Sequence, residues 1–318
     1  MHVKLGSSPK RSSRIIDLAR RIDAGTSVGE IVGMPEFDDF GRLLFPVDRM
    51  PSLSSTLEDL ARGNTFIWYS NLKSAVFARA IDRLKTDADQ GCTIFYSIYD
   101  QEEIARDPSK RDTGLFFFRG VKNAPTAVVN AGGGFMYVAA LQDSLPHAMK
   151  ISDLGYNAFA LIYRPERPYE DLARALVFLY DHAASLGVNM NDYSLWGGSA
   201  GARMAAVLGN ERYLHELTGR SDLPQASAVI MQYTGYSAVS PFDAPTFACV
   251  GTNDGIANWR IMQARLSELT RRYGIPTEFR VFEGLRHGFG IGQDTPAQGW
   301  IEDAIAFWQA QEGVKNEI

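Results

Sequence analysis

The chain has few of the residues that build disulfide frameworks or metal sites. Its 318 residues include two cysteines, Cys92 and Cys249, far apart in sequence. That excludes a disulfide scaffold, a CxxC pair and a Cys/His zinc spacing. It also has no excess of positive charge: 32 Lys and Arg against 37 Asp and Glu leave a net charge of −5, so no global field draws a polyanion. Long apolar runs are missing too, the longest (such as residues 157–163) being far too short to cross a bilayer. The basic N-terminal stretch is not followed by the apolar segment of a secretory signal. No internal repeat or low-complexity tract appears. These absences make a soluble, cytoplasmic protein without nucleic-acid partners the expectation. With 45% hydrophobic and 22% charged residues, the composition is that of a globular chain rather than a disordered one.

Two regions read differently. Residues 1–90 show helical periodicity broken by turns: Ile15, Leu18, Ala19 and Ile22 form an apolar stripe, ringed by Lys10, Arg11, Arg14, Arg20 and Arg21. A solvated face on a helix packed against the main body is the plainer reading of that stripe; a membrane-surface or anion-binding helix is the sharper one. A loop with Pro35, Pro46 and Pro51 follows, then helical stretches near 53–62 and 72–85. This region is expected to serve as a cap or in homo-oligomerisation.

From residue 92, short β-rich runs alternate with helical ones. The runs are 93–99, 114–119, 126–130, 158–163, 193–196, 228–232, 246–250 and 277–282. Helices are marked by Leu172, Leu176, Leu179 and Ala183, by Trp259, Met262, Leu266 and Leu269, and by Trp300, Ile301, Ala304, Ile305 and Trp308. Continuous apolar strands alternating with helices predict an eight-stranded, mostly parallel sheet flanked by helices over residues 91–318, antiparallel at its start. Ligands in such folds bind beyond the carboxyl ends of the strands, so the residues that follow each strand are where chemistry is sought.

After the strand at 193–196 comes Gly197-Gly198-Ser199-Ala200-Gly201, a G-x-S-x-G set between strand and helix. By chance about one chain in ten of this length contains that pattern, so its position carries the weight. After 126–130 comes Ala131-Gly132-Gly133-Gly134-Phe135, either a plain turn or a source of backbone N–H donors for an oxyanion. Gly133 or Gly134, with Ala200, would be those donors. Asp254 follows the strand at 246–250 and His287 follows the strand at 277–282. Of the five histidines, His2 lies near the terminus and His147, His182 and His215 sit in helical segments, which leaves His287. Ser, Asp and His thus stand in chain order, each after a successive strand. Phe135, Tyr137, Tyr233 and Tyr236 either wall an acyl pocket or pack the core.

These motifs, AGGGF at 131–135, GGSAG at 197–201, TNDG at 252–255 and RHGFG at 286–290, resemble the α/β-hydrolase superfamily over about residues 92–318. Within it, the hormone-sensitive-lipase-like esterases and carbohydrate acetyl esterases are the nearest in pattern. The resemblance implies the α/β-hydrolase fold, with Ser199 as nucleophile, His287 as base, Asp254 as orienting acid, and Gly133, Gly134 and Ala200 as the oxyanion hole. It implies ester hydrolysis, with short acyl and specifically acetyl esters as the expected substrates, with no cofactor and no metal, and a small-molecule ester as partner. Amide or peptide hydrolysis, formamidase chemistry and a non-catalytic receptor stay open as alternatives. Two departures stand out: Ala131 takes the place of the family's loop histidine, and the segment between the strands at 228–232 and 246–250 is too short for a large lid.

Overall fold

A computed structural model describes residues 21–312. The stripe expected around Ile15 lies outside the described residues except for Arg21 and Ile22, which are not helical. The strands are β1 (Phe95–Tyr96), β2 (Gly114–Phe118), β3 (Pro125–Asn130), β4 (Asn157–Ile162), β5 (Asn189–Gly198), β6 (Ala228–Gln232), β7 (Thr246–Gly251) and β8 (Thr277–Phe282). They form one sheet in the order β1-β2-β4-β3-β5-β6-β7-β8. β2 runs antiparallel to both β1 and β4, and every other pairing is parallel.

The burial pattern explains why the strands were legible. β2, β4, β6 and β7 are buried at every position, as strands covered on both faces must be. β8 closes the sheet edge and is only half-buried, with Arg280 pairing to Glu278 and Asp303.

The helices are α1 (Val28–Val32), α2 (Leu57–Arg62), α3 (Ser74–Asp89), α4 (Gln101–Arg106), α5 (Ala140–Asp143), α6 (Leu145–Asp153), α7 (Pro168–Leu186), α8 (Ala200–Leu208), α9 (Glu211–Thr218), α10 (Trp259–Tyr273) and α11 (Trp300–Gln311). α3, α6 and α11 pack together as one group, and α7, α8 and α9 as another. α7 shows how sequence sets its ends: Pro168 opens the first turn, and Gly187, with φ of 68°, closes the last in a left-handed cap. Leu172, Leu176 and Leu179 form its buried stripe.

The N-terminal segment is short helices and 3₁₀ turns. Ser27 with Glu30 and Thr56 with Asp59 form reciprocal capping boxes that start α1 and α2. A bridge between Ser27 and Thr56 holds the two starts together. Val28, Ile31, Phe37 and Leu44 from this segment join the same continuous apolar cluster as the sheet. No helix among the described residues is long and apolar enough to cross a membrane.

At the carboxyl end of β4, Arg164 and Asp171 form a buried ion pair of 2.6 Å, and the Tyr99 hydroxyl donates to Asp171 at 2.6 Å. Arg164 also reaches Asp107 at 2.9 Å, so one guanidinium links β4, α7 and the turn before β2. Removing one partner of a buried pair leaves the other charge uncompensated. Asp171→Ala should therefore lower unfolding free energy by about 3–5 kcal/mol. Urea denaturation checks this, and a loss under 1 kcal/mol would contradict it.

Candidate active site

Ser199 sits on the turn from β5 into α8 with φ of 53° and ψ of −116°, a backbone conformation that a side-chain-bearing residue seldom adopts. Close packing makes that turn possible. A Cβ on Gly201 would lie 2.0 Å from the Asn130 carbonyl oxygen, and one on Gly197 would lie 2.2 Å from the Gly201 backbone. Only glycine lets β3, β5 and α8 approach this nearly. The Ser199 N–H donates to the Gln232 carbonyl at 2.9 Å, which fixes the turn against the end of β6. The positive end of α8 lies directly behind the hydroxyl.

The loops after β7 and β8 bring two more side chains to this point. His287 Nε2 lies 3.2 Å from Ser199 Oγ, and His287 Nδ1 lies 2.8 Å from Asp254 Oδ2. With Nδ1–H donating to the carboxylate, Nε2 is free to accept from the serine hydroxyl. Asp254 is itself held by the Ile256 and Ala257 N–H groups, which donate to Oδ1 at 2.8 and 2.7 Å. Its side chain is fully buried. The structure thus brings the three expected residues into one row across 88 residues of sequence.

The glycine loop after β3 lies alongside. Gly133 and Gly134 have φ of 121° and 64°. Among the described residues no hydrogen bond engages the N–H of Gly133, Gly134 or Ala200. Gly134 and Ala200 border the same cavity as Ser199; Gly133 does not.

Residues 119–256 match the BD-FAE family model. No curated protein matches the chain. Among solved structures, the acetyl ester-xyloside bifunctional hydrolase from Caldicellulosiruptor lactoaceticus covers 68% of this chain and 95% of its own, at 19% identity and a TM-score of 0.58. A thermophilic esterase from the planctomycete Thermogutta terrifontis covers 69% and 92%, at 20% identity and a TM-score of 0.57. The carboxylesterase Cest-2923 from Lactobacillus plantarum WCFS1 covers 63% and 92%, at 16% identity and a TM-score of 0.53. The chain has the α/β-hydrolase fold.

In this α/β-hydrolase fold the glycine loop rests on tyrosine hydroxyls and a buried carboxylate. Ala131 is buried and its carbonyl accepts from the Tyr163 hydroxyl at 2.7 Å. The carboxylate of Asp143, at the end of α5, accepts from the Gly132 N–H at 2.8 Å, from the Tyr69 hydroxyl at 2.9 Å and from the Tyr233 hydroxyl. Burial pushes its pKa up to about 6, while these three donors pull the other way. Burial and the same carboxylate push the Tyr69 and Tyr233 hydroxyls up, so both remain donors at neutral pH.

Neither Asp143 nor Tyr69 was expected from the sequence. One signal was available: Asp143 is a lone acid in the otherwise uncharged run from Phe135 to Met149, and a fully buried carboxylate is rare unless partnered. Tyr69 belongs to a segment of irregular backbone whose neighbours Trp68 and Asn71 have φ of 75° and 56°. That segment runs along the site: Ser70 Oγ donates to the His287 carbonyl at 2.7 Å, and the Trp68 ring backs Gly134.

The cavity beside Ser199 is about 480 Å³, and Phe135, Tyr233, Tyr236 and Arg203 are on its wall. Tyr137, expected there, is corrected: it is fully buried, donates to the Ile67 carbonyl at 2.8 Å and stacks on Trp68. Its hydroxyl found a backbone partner in the core, as buried tyrosines do, instead of facing a ligand.

Gln232 ties the site to the core. Its Nε2 donates to the Gly290 carbonyl at 2.7 Å in the His287 loop, and its Oε1 accepts from His147 Nε2 at 2.9 Å. His147 is buried with no partner on Nδ1, and burial pushes its pKa down to about 4 from 6.5. Below pH 6.5 the unfolded chain takes up a proton that the folded chain refuses until about pH 4, so stability falls as pH drops through that window. At about 1.36 kcal/mol per unit, the wild type should lose about 3 kcal/mol relative to His147→Gln between pH 7 and pH 4. Urea denaturation across that range reads it; parallel stability curves for the two proteins would contradict it.

Proposed function

We propose that the chain is a serine carboxylesterase that cleaves short-chain acyl esters through an acyl-enzyme. The observation that carries this reading is the unbroken row from Ser199 through His287 to Asp254, with distances of 3.2 and 2.8 Å. His287 Nε2 removes the hydroxyl proton as Ser199 Oγ attacks the ester carbonyl carbon. Asp254 holds the imidazole in the required tautomer and stabilises the imidazolium. The carbonyl oxygen gains negative charge, which the N–H groups of Ala200 and of Gly134 or Gly133 stabilise, each donor worth about 10²–10³ in kcat. The tetrahedral intermediate collapses, His287 returns its proton to the departing alcohol, and Ser199 keeps the acyl group. Water then attacks with His287 as base, releasing the acid and restoring the serine.

The preference for short acyl groups rests on the cavity wall and the missing lid. Tyr233 and Tyr236 stand on the wall beside Ser199, and the segment between β6 and β7 is too short for a large lid over a long chain. An acetyl group on a carbohydrate is the specific substrate we favour, in keeping with the name of the Caldicellulosiruptor lactoaceticus neighbour. The N-terminal residues act as a brace: Tyr69, Ser70 and Asn71 bond to the Asp143 carboxylate and to the His287–Gln293 loop.

Ser199→Ala should reduce 4-nitrophenyl acetate hydrolysis by about 10⁴-fold or more while the circular dichroism spectrum and urea midpoint stay native. A series from acetate to decanoate should peak at four carbons or fewer. Wild-type turnover in Ser199→Ala would remove the serine from the mechanism, and a peak at eight carbons or beyond would remove the short-chain preference.

A further inference from the structure

The cavity wall carries one feature that ester hydrolysis alone does not require. Arg203 lies on it, four residues beyond Ser199 and so one turn along α8 from the hydroxyl. Its neighbours there are neutral: Phe135, Thr234, Tyr236 and Ser237 among them. Among the described residues lining this cavity, no Asp or Glu appears, and Arg203 alone carries a formal charge.

Several other arginines are matched. Arg164, Arg174, Arg220, Arg265 and Arg280 each pair with a carboxylate at 3.1 Å or less. Among the described residues no carboxylate pairs with Arg203. Its charge acts on the Tyr169 hydroxyl, where it opposes what burial does. Tyr169 in turn meets Phe135 edge-on, with ring centroids 6.1 Å apart. Arg203 is exposed on the cavity wall with its donors unspent on protein acids. A guanidinium presents a planar fork that matches a carboxylate in two parallel hydrogen bonds. In a chain of net charge −5, placing the cleft's single charge as a cation favours an anionic ligand over a neutral one.

We propose that Arg203 selects esters that carry a carboxylate on the part of the molecule lying in this cavity. The inference rests on the esterase reading and narrows its substrate class from neutral short esters to acidic ones. Arg203 does not touch the reacting atoms; it binds the remote anion and so fixes the ester carbonyl against Ser199. A charge-assisted pair of this kind is worth about tenfold or more in binding.

The test compares two matched pairs of substrates, because the anion could sit on either half of the ester. Mono-4-nitrophenyl adipate against its methyl ester places the charge on the acyl half. 4-Acetoxybenzoate against methyl 4-acetoxybenzoate places it on the alcohol half. In the wild type, at least one acid should exceed its neutral partner in kcat/KM by tenfold or more, with the gain carried by KM. Arg203→Met should lower that acid-to-neutral ratio at least tenfold, Arg203→Lys should keep more of it, and added salt should erode it in the wild type. A ratio under tenfold in both pairs, or a larger ratio that survives in Arg203→Met, overturns the proposal while neutral-ester turnover leaves the esterase reading standing. A wild type inert toward all four esters overturns both.

Discussion

A hydroxyl and an imidazole held 3.2 Å apart, on loops that follow β5 and β8, are the contact on which this site depends. Neither loop could set that distance alone. The serine is fixed by a turn so compressed that glycine is needed on both sides, with its N–H pinned to the end of β6. The imidazole is fixed from below by Asp254, from the side by Ser70 on its carbonyl, and through Gly290 by Gln232. Gln232 is the common anchor: its carbonyl holds the serine turn, and its amide holds the histidine loop.

The second support is a carboxylate removed from water. Asp143 gathers the glycine loop, the N-terminal segment and the residue after β6 into one cluster through Gly132, Tyr69 and Tyr233. An unpartnered carboxylate in that position would be too costly to keep, and three donors are what make it tolerable. The arrangement supports the glycine loop and binds the N-terminal segment to the sheet-bearing part of the chain by a polar contact as well as by apolar packing. The same cluster places two tyrosine rings near His287, Tyr233 at 4.9 Å and Tyr69 at 6.3 Å between centroids, which shields the imidazole from bulk water.

The sheet was readable because burial on both faces leaves a mark in sequence. β6 begins and ends where its apolar run does, and β2, β3, β4 and β7 agree within a residue; β8, half-buried at the edge, was marked by Phe279, Val281 and Phe282 among polar residues instead. β1 is shorter than its run because only Phe95 and Tyr96 pair with β2 before Ser97 turns back on the Tyr99 carbonyl. The row of Ser199, Asp254 and His287 was readable because each follows a strand. Tyr69 and Asp143 were not, since their bond spans 74 residues and neither stands in a motif. The place of Tyr137 was left between pocket wall and core for a related reason: a tyrosine beside a glycine loop has the same sequence signature whether its hydroxyl meets a ligand or, as here, the Ile67 carbonyl.

The account stands on Ser199 being activated by its neighbours, and covalent labelling probes that most directly. The wild type is treated with a fluorophosphonate and the adduct is mapped by peptide mass spectrometry. The account predicts one rapid, stoichiometric adduct on Ser199 that slows by orders of magnitude in His287→Ala. No adduct, an adduct on another residue, or equal labelling of the two proteins would contradict it.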